Sequence, residues 1–498
     1  MRKLGLLILM GNVVWFGACG GNGGTASSTV TGVSVSCSPS TITSGQMSQC
    51  LATVSGTGNF NPAVEWGASA GTISTSGTFT APVVSSQTSV TITADSVQFG
   101  NISGTATVTV NPTTSAGNVA PLVVDAGPDG QEVNIAYTTV TVCVPGTQQC
   151  QTIDHVQVDT GSEGLRLLSS VLTIPLPPEN ISGQSLDECL VFADGFVWGP
   201  VATADVTIAG ETASAVPVHM LIPSTTAPPV PSSCSSQTSG GNEGGSASTL
   251  GANGIIGVGP FQQDCGLACT SLNSQIPDVY YTCSGSNCNP TFVPLAGQVP
   301  NPVIAFNTDD NGVLIQLPSV PNGGSPGANG SLIFGINTQS NNNLSLAANT
   351  YTIPDGNGST NNIGDFITTF NGHTYPQSFI DSGSNGLFFL DSNTTGIPTC
   401  PGQNSGWYCP NNSPDNLSAS NQGQDNNGNP AGNNVPVNFT IENANNLFTN
   451  NDTAYSTLSG PFSGAFDWGL PFFYGKNVFT GIDGLTTPNG PTGPYFAY

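Results

Sequence analysis

The sequence is short of positive charge. Its 498 residues hold 29 Asp and Glu against four Lys and Arg, for a formal net charge of −25. Two of the four bases, Arg2 and Lys3, stand at the extreme N-terminus, which leaves Arg166 and Lys476 for everything else. Proteins that bind nucleic acid neutralise phosphates with clustered Lys and Arg, so nucleic acid is excluded as a partner. Histidine is as scarce: His155, His219 and His373 are scattered, and no Cys-x-x-Cys occurs, so neither a metal site nor a cofactor is expected. Charged residues of either sign make up only 7 % of the chain. Polarity therefore comes from Asn, Ser, Thr, Gln and Gly, a surface suited to an extracytoplasmic protein. Long amphipathic runs of helical period are missing too, which argues against a helical fold.

What the chain does have is Gly (63) and Pro (38), between short stretches rich in Val, Ile and Thr. That pattern predicts many strands joined by turns, a mainly β protein. The length predicts two or three domains. The start, MRKLGLLILMGNVVWFGACGG, has a basic opening, an apolar stretch from Leu4 to Phe16 and small residues after it, the pattern of a signal peptide over 1–18. Phe16-Gly17-Ala18-Cys19 resembles the bacterial lipobox, with Phe where Leu is usual. The resemblance implies lipidation of Cys19, a lipid-anchored or secreted protein and, with Gly20 following, the outer membrane. No later stretch is long and apolar enough to span a bilayer. Of the 13 cysteines, setting Cys19 aside leaves an even number. Cys37 and Cys50, Cys143 and Cys150, Cys265 and Cys269, Cys283 and Cys288, and Cys400 and Cys409 are close neighbours and read as small disulfide loops of an oxidising compartment.

Residues 19–30 form a Gly/Ser-rich tether. Over 31–111, short alternating strands and the W-x-x-x-x-G-T-I-S segment at Trp66 resemble the bacterial immunoglobulin-like domains of surface proteins. That resemblance implies a β-sandwich with a buried Trp, acting as a spacer or adhesive module. NPTTSAGN (111–118) is a linker by composition. In the remaining stretch, 119–498, a Ser/Gly/Pro-rich segment (223–249) and an Asn/Gly-rich one (about 401–434) read as exposed loops.

One device occurs twice in that stretch. VQVDTGSEGLRLL (156–168) and FIDSGSNGLFFL (379–390) each run apolar residues into Asp-(Thr/Ser)-Gly-Ser and out through Gly-Leu. A single such motif is weak in a chain this rich in Gly and Ser. Two copies gain weight because their surroundings repeat. ANGIIGVGP (252–260) places two apolar residues before Gly257, and AFDWGLPFF (465–473) places Trp468 before Gly469, at comparable distances downstream. If the halves are related by an approximate dyad, Asp159 and Asp381 meet across it. Two carboxyls that close share one proton, so one can act as base for a water and the other as acid for a carbonyl oxygen. Thr160, Ser162, Ser382 and Ser384 would hold the pair by hydrogen bonds, while Gly161 and Gly383 permit the tight turn.

With these motifs the chain resembles the pepsin-like, bilobal aspartic peptidases across most of 119–498. The resemblance implies a bilobal double-ψ β-barrel fold with a cleft between an N-terminal lobe (119–300) and a C-terminal lobe (301–498). In each lobe, a strand ending at Gly257 or Gly469 would thread the loop behind its Asp. It also implies a monomeric endopeptidase acting on polypeptide substrates. Two departures stand out. The segment corresponding to the family's flap, CLVFADGFVWGP (189–200), offers Phe192 and Trp198 but no Tyr, and Glu163 stands where a small residue is usual, with Arg166 close enough to offset it. A non-catalytic protein binding peptide or glycan on the same fold is the alternative. A serine hydrolase built on GGSPG (323–327) is disfavoured, because that motif lies in a Pro/Gly loop without a strand-to-helix turn.

Overall fold

The computed structural model describes residues 28–498 apart from 44–45, 83, 85–86, 112–116, 194, 227, 239–241 and 274. The signal peptide, Cys19, most of the tether and most of the linker lie outside the described residues. The chain divides after Thr114 into two compact units.

The first unit is built from two four-stranded sheets, one containing strands Thr29–Ser38 and Met47–Thr57, the other Thr88–Ser96 and Ser103–Asn111. Alternation drives the packing. In Thr88–Ser96, Val90, Ile92 and Ala94 are buried while Ser89 and Thr91 are exposed. Val90, Ile92, Val108 and Val110 of one sheet share a core with Phe79 and Cys50 of the other. Cys37 and Cys50 face each other in register and are disulfide-bonded. Trp66 is only half-buried, contrary to expectation, because its strand Val64–Ala68 is the edge of its sheet.

The second unit is also almost entirely strand. One sheet closes into a barrel running from Val119–Val124 through Thr350–Thr352 and taking in Asn477–Gly481 and Tyr495–Ala497. A seven-stranded sheet is made by Phe366–Phe370, His373–Ile380, Leu387–Leu390, Asp415–Gln424, Pro430–Ile441, Ser459–Gly460 and Phe462–Trp468. Inside these sheets the same threading appears twice. Strand Gly254–Val258 pairs parallel with Cys150–Asp159 and antiparallel with Glu163–Leu168, so it runs between the strands entering and leaving the first Asp turn. Phe462–Trp468 does the same between His373–Ile380 and Leu387–Leu390. Apolar residues from both sets, including Val158, Ile256, Ile380 and Trp468, share one core.

The two composition-biased segments are not plain loops. Cys234, in the short helix Ser232–Ser235, is disulfide-bonded to Cys189, which holds that segment against strand Gln184–Val191. Most of the Asn-rich segment belongs to the hairpin Asp415–Gln424 and Pro430–Ile441. Its buried Asn421 is satisfied: it accepts from the Thr368 hydroxyl at 2.8 Å and donates to the Tyr498 hydroxyl at 3.0 Å. A strand can carry buried amides when each finds its partner, and composition does not reveal those partners.

Candidate active site

Asp159 ends one strand and Asp381 follows the other, and the two turns present them to each other with matching bonds. Oδ1 of Asp159 accepts from the Gly161 N–H, and Oδ1 of Asp381 from the Gly383 N–H, both at 2.7 Å. The Oδ2 atoms accept from the hydroxyls of Ser162 and Ser384. Each carboxyl rests on the other's turn. A Cβ on Gly161 would stand 2.8 Å from the Asp381 carboxyl, and one on Gly383 would stand 2.6 Å from Oδ1 of Asp159. Only glycine leaves that space.

The residues after the aspartates lock the turns together. The Thr160 N–H donates to Oγ of Ser382 at 3.1 Å, and the Ser382 N–H donates to Oγ1 of Thr160 at 2.9 Å. Each hydroxyl then donates to the carbonyl before the opposite aspartate, Thr160 to Ile380 at 3.3 Å and Ser382 to Val158 at 2.7 Å. The symmetry is that of an approximate two-fold axis. Gln157 adds a bond to the Gly383 carbonyl at 2.8 Å. Asn134, unremarked in the sequence, donates to the carbonyls of Asn385 and Tyr455 and accepts from the Tyr455 N–H and the Tyr474 hydroxyl. No local pattern marks such a residue, since its partners lie more than 250 positions away.

Gly257 and Gly469 sit where the threading strands pass closest. A Cβ at Gly257 would meet the Glu163 backbone at 2.6 Å, and one at Gly469 would meet the Gly386 carbonyl at 2.1 Å. Both positions require glycine.

The carboxyls face a cavity of about 530 Å³ that Gln157, Phe192, Ile255, Phe388, Phe462 and Asp467 also line. The proton affinity of Asp381 lies well above the ordinary carboxylate range. Burial is the main cause, followed by the charges of Asp159 and Asp467 and a hydrogen bond shared with Asp159; the Ser384 hydroxyl opposes.

The expected neighbours fall differently. Phe192 lines the cavity at the tip of the hairpin Gln184–Val191 and Gly195–Ile208. Trp198 does not. Its side chain is fully buried, packs edge-on against Tyr281 beside the Cys189–Cys234 disulfide, and donates to the Pro228 carbonyl at 3.0 Å. An inward position on a strand decided its place.

Glu163 is buried, accepts from the Phe261 N–H at 3.1 Å, and is pushed up to about 8 chiefly by burial. It is therefore neutral through the acidic range and adds no negative charge there. Arg166 lowers the Glu163 pKa slightly, but its ion pairs are elsewhere, with Glu188 at 2.8 Å and Asp264 at 3.2 Å, all three side chains fully buried or nearly so. His219 stands beside Glu188 in the same cluster, and Tyr280 donates to Asp264. Asp467, a residue of AFDWGLPFF that no sequence motif marks, stands in the cavity wall.

No curated protein matches the chain by sequence. Among solved structures, the chain is similar to the crystal structure of an aspartic proteinase from Irpex lacteus, at 13% identity and a TM-score of 0.42, over 76% of this chain and 96% of that one. Residues 114–498 match the model of the family described as "Protein of unknown function (DUF3443)", and the chain belongs to that family.

Proposed function

We propose that the chain is an extracytoplasmic aspartic endopeptidase. The observation that carries this reading is the pair of facing carboxyls, each held by a glycine N–H and a serine hydroxyl at the floor of a cleft. With one proton between them, the ionised member takes a proton from a water while the neutral member donates to the peptide carbonyl oxygen. The water oxygen bonds to the carbonyl carbon, the resulting tetrahedral diol collapses, and the C–N bond breaks as the amine leaves with a proton. No covalent enzyme intermediate arises. Six disulfides support an oxidising compartment. Among the described residues no helix is long and apolar enough to cross a membrane, and on this reading Cys19 supplies a lipid anchor.

The test is cleavage of an unfolded protein by the purified mature chain from about pH 3 to 7, beside Asp159→Asn and Asp381→Asn. Each variant is expected to lose activity by about 10²–10⁴-fold or more. Equal cleavage by variants and wild type, or none at any pH, sinks the peptidase reading and favours a cleft that binds peptide or glycan without cutting it.

A further inference from the structure

The cleft contains a third carboxyl that hydrolysis does not require. Asp467 lies on Phe462–Trp468, in register with Phe379 on one side and Phe388 on the other. It lines the same cavity as Asp159 and Asp381, is 5% exposed, and its Oδ1 is buried without a hydrogen-bond partner. The corresponding rung of the first half, paired with Gln157, is Ile255, which also lines the cavity. The acid is thus present on one side only, where the fold accepts an aliphatic residue.

Burying a polar atom without a partner is unfavourable, and a donor that arrives removes that cost. Among the described residues no cation stands in the cavity to supply one. The ionisable ones among the described residues lining it are Glu132, Asp159, Asp381 and Asp467, with no Lys, Arg or His. Arg166 is engaged with Glu188 and Asp264, and Lys476 donates to the Phe472 carbonyl. Phe388, in register with Asp467, and Phe462 also line the cavity. Aromatic faces suit the alkyl stem of lysine or the plane of arginine, leaving the charged end free to reach an acid.

Resting on the peptidase reading, we propose that Asp467 is a specificity-determining residue that receives a lysine or arginine side chain of the polypeptide substrate next to the scissile bond. Its closeness to the reacting pair is plain, since its charge acts on Asp381 and Ser384 hydrogen-bonds toward both. Burial pushes Asp467 up to about 8, the Ser384 hydroxyl opposing and the Asp159 charge adding. The empty cleft therefore holds it protonated, and a bound cation favours the ionised form. The groups facing it, Asp159 and Asp381, are both acids, so selectivity for a cation rises with pH.

Two peptides that differ only in lysine against norleucine beside the cleaved bond test this on the mature chain, with Asp467→Asn and Asp467→Leu. Wild type is expected to favour the lysine peptide in kcat/KM by about 10–100-fold, as for a desolvated charge pair. Both variants are expected to bring the ratio to near one. Equal cleavage of both peptides by wild type, or a lysine preference that survives both substitutions, overturns the proposal and leaves the peptidase reading standing. If nothing is cleaved, that reading falls, and fluorescence anisotropy of the same peptides decides recognition by itself. Lysine-selective binding lost in both variants supports Asp467 as the receptor; its absence overturns it.

Discussion

Seven residues beyond each of Asp159 and Asp381 the two halves differ, with Arg166 in one and Phe388 in the other. Arg166 turns inward and is fixed by Glu188 and Asp264, a buried charge cluster that ties Glu163–Leu168 to strand Gln184–Val191 and the chain after Gly259. Phe388 stacks on Trp407 and forms cleft wall. The acids are distributed just as unequally. The first half carries Glu163 behind its aspartate, and the second carries Asp467 in front, where the first has Ile255. Strict symmetry is kept only for the atoms that hold the two carboxyls. The surroundings are free to differ, and they give one side a rigid polar anchor and the other an apolar wall with an acid in it.

That contrast can be broken at its most expensive point by Arg166→Met. It leaves Glu188 and Asp264 buried without their cation, and a loss of about 3–5 kcal/mol is expected, read from the denaturant midpoint. If the midpoint hardly moves, the cluster is not the anchor of the first half. The symmetric part is sharpened by Thr160→Val and Ser382→Ala. Each removes one hydroxyl of the reciprocal set and strands an N–H and a carbonyl, at an expected cost of about 1–3 kcal/mol. The two losses should be similar, since each hydroxyl makes one bond to an N–H and one to a carbonyl; a markedly unequal pair would deny the two-fold arrangement.

An effect that appears only as pH rises is expected from Glu163→Gln. The folded protein binds the Glu163 proton more tightly than the unfolded chain, with a pKa of about 8 against 4.5. Its contribution to stability is therefore complete below about pH 4.5 and is lost as pH rises toward about 8. Glutamine keeps a carbonyl oxygen for the Phe261 N–H and cannot ionise. Melting temperatures should match wild type in acid and exceed it near pH 8. A variant that is less stable than wild type at pH 8 would show Glu163 to be ionised in the fold.

The paired Asp turns were legible because a strand ending in Asp-(Thr/Ser)-Gly-Ser is a local pattern, and two copies with matching downstream glycines suggest a repeat. Five of the six disulfides were legible for the same reason, since their partners are near in sequence, whereas Cys189–Cys234 spans 45 residues and was not. Trp198 could not be placed, because a strand's alternation says that successive residues face opposite ways without saying which way is the cleft. Arg166 follows Glu163 closely in the chain, while its charge partners lie 22 and 98 positions away. The hairpin over 415–441 was hidden by its amides, which become strand residues only once Thr368 and Tyr498 are there to bond them.

By itself the sequence determined the mainly β character, the local disulfides, the two acid turns and the glycines that allow them, because each depends on residues a few positions apart. The tertiary structure decided which carboxyls share the cleft, which acid is buried behind it and which cation is unavailable to it. Burial and long-range pairing set those outcomes. Asp467 makes the point: on its strand it is one polar residue between Phe466 and Trp468, and only the fold brings it beside Asp159 and Asp381 with one carboxyl oxygen unpaired.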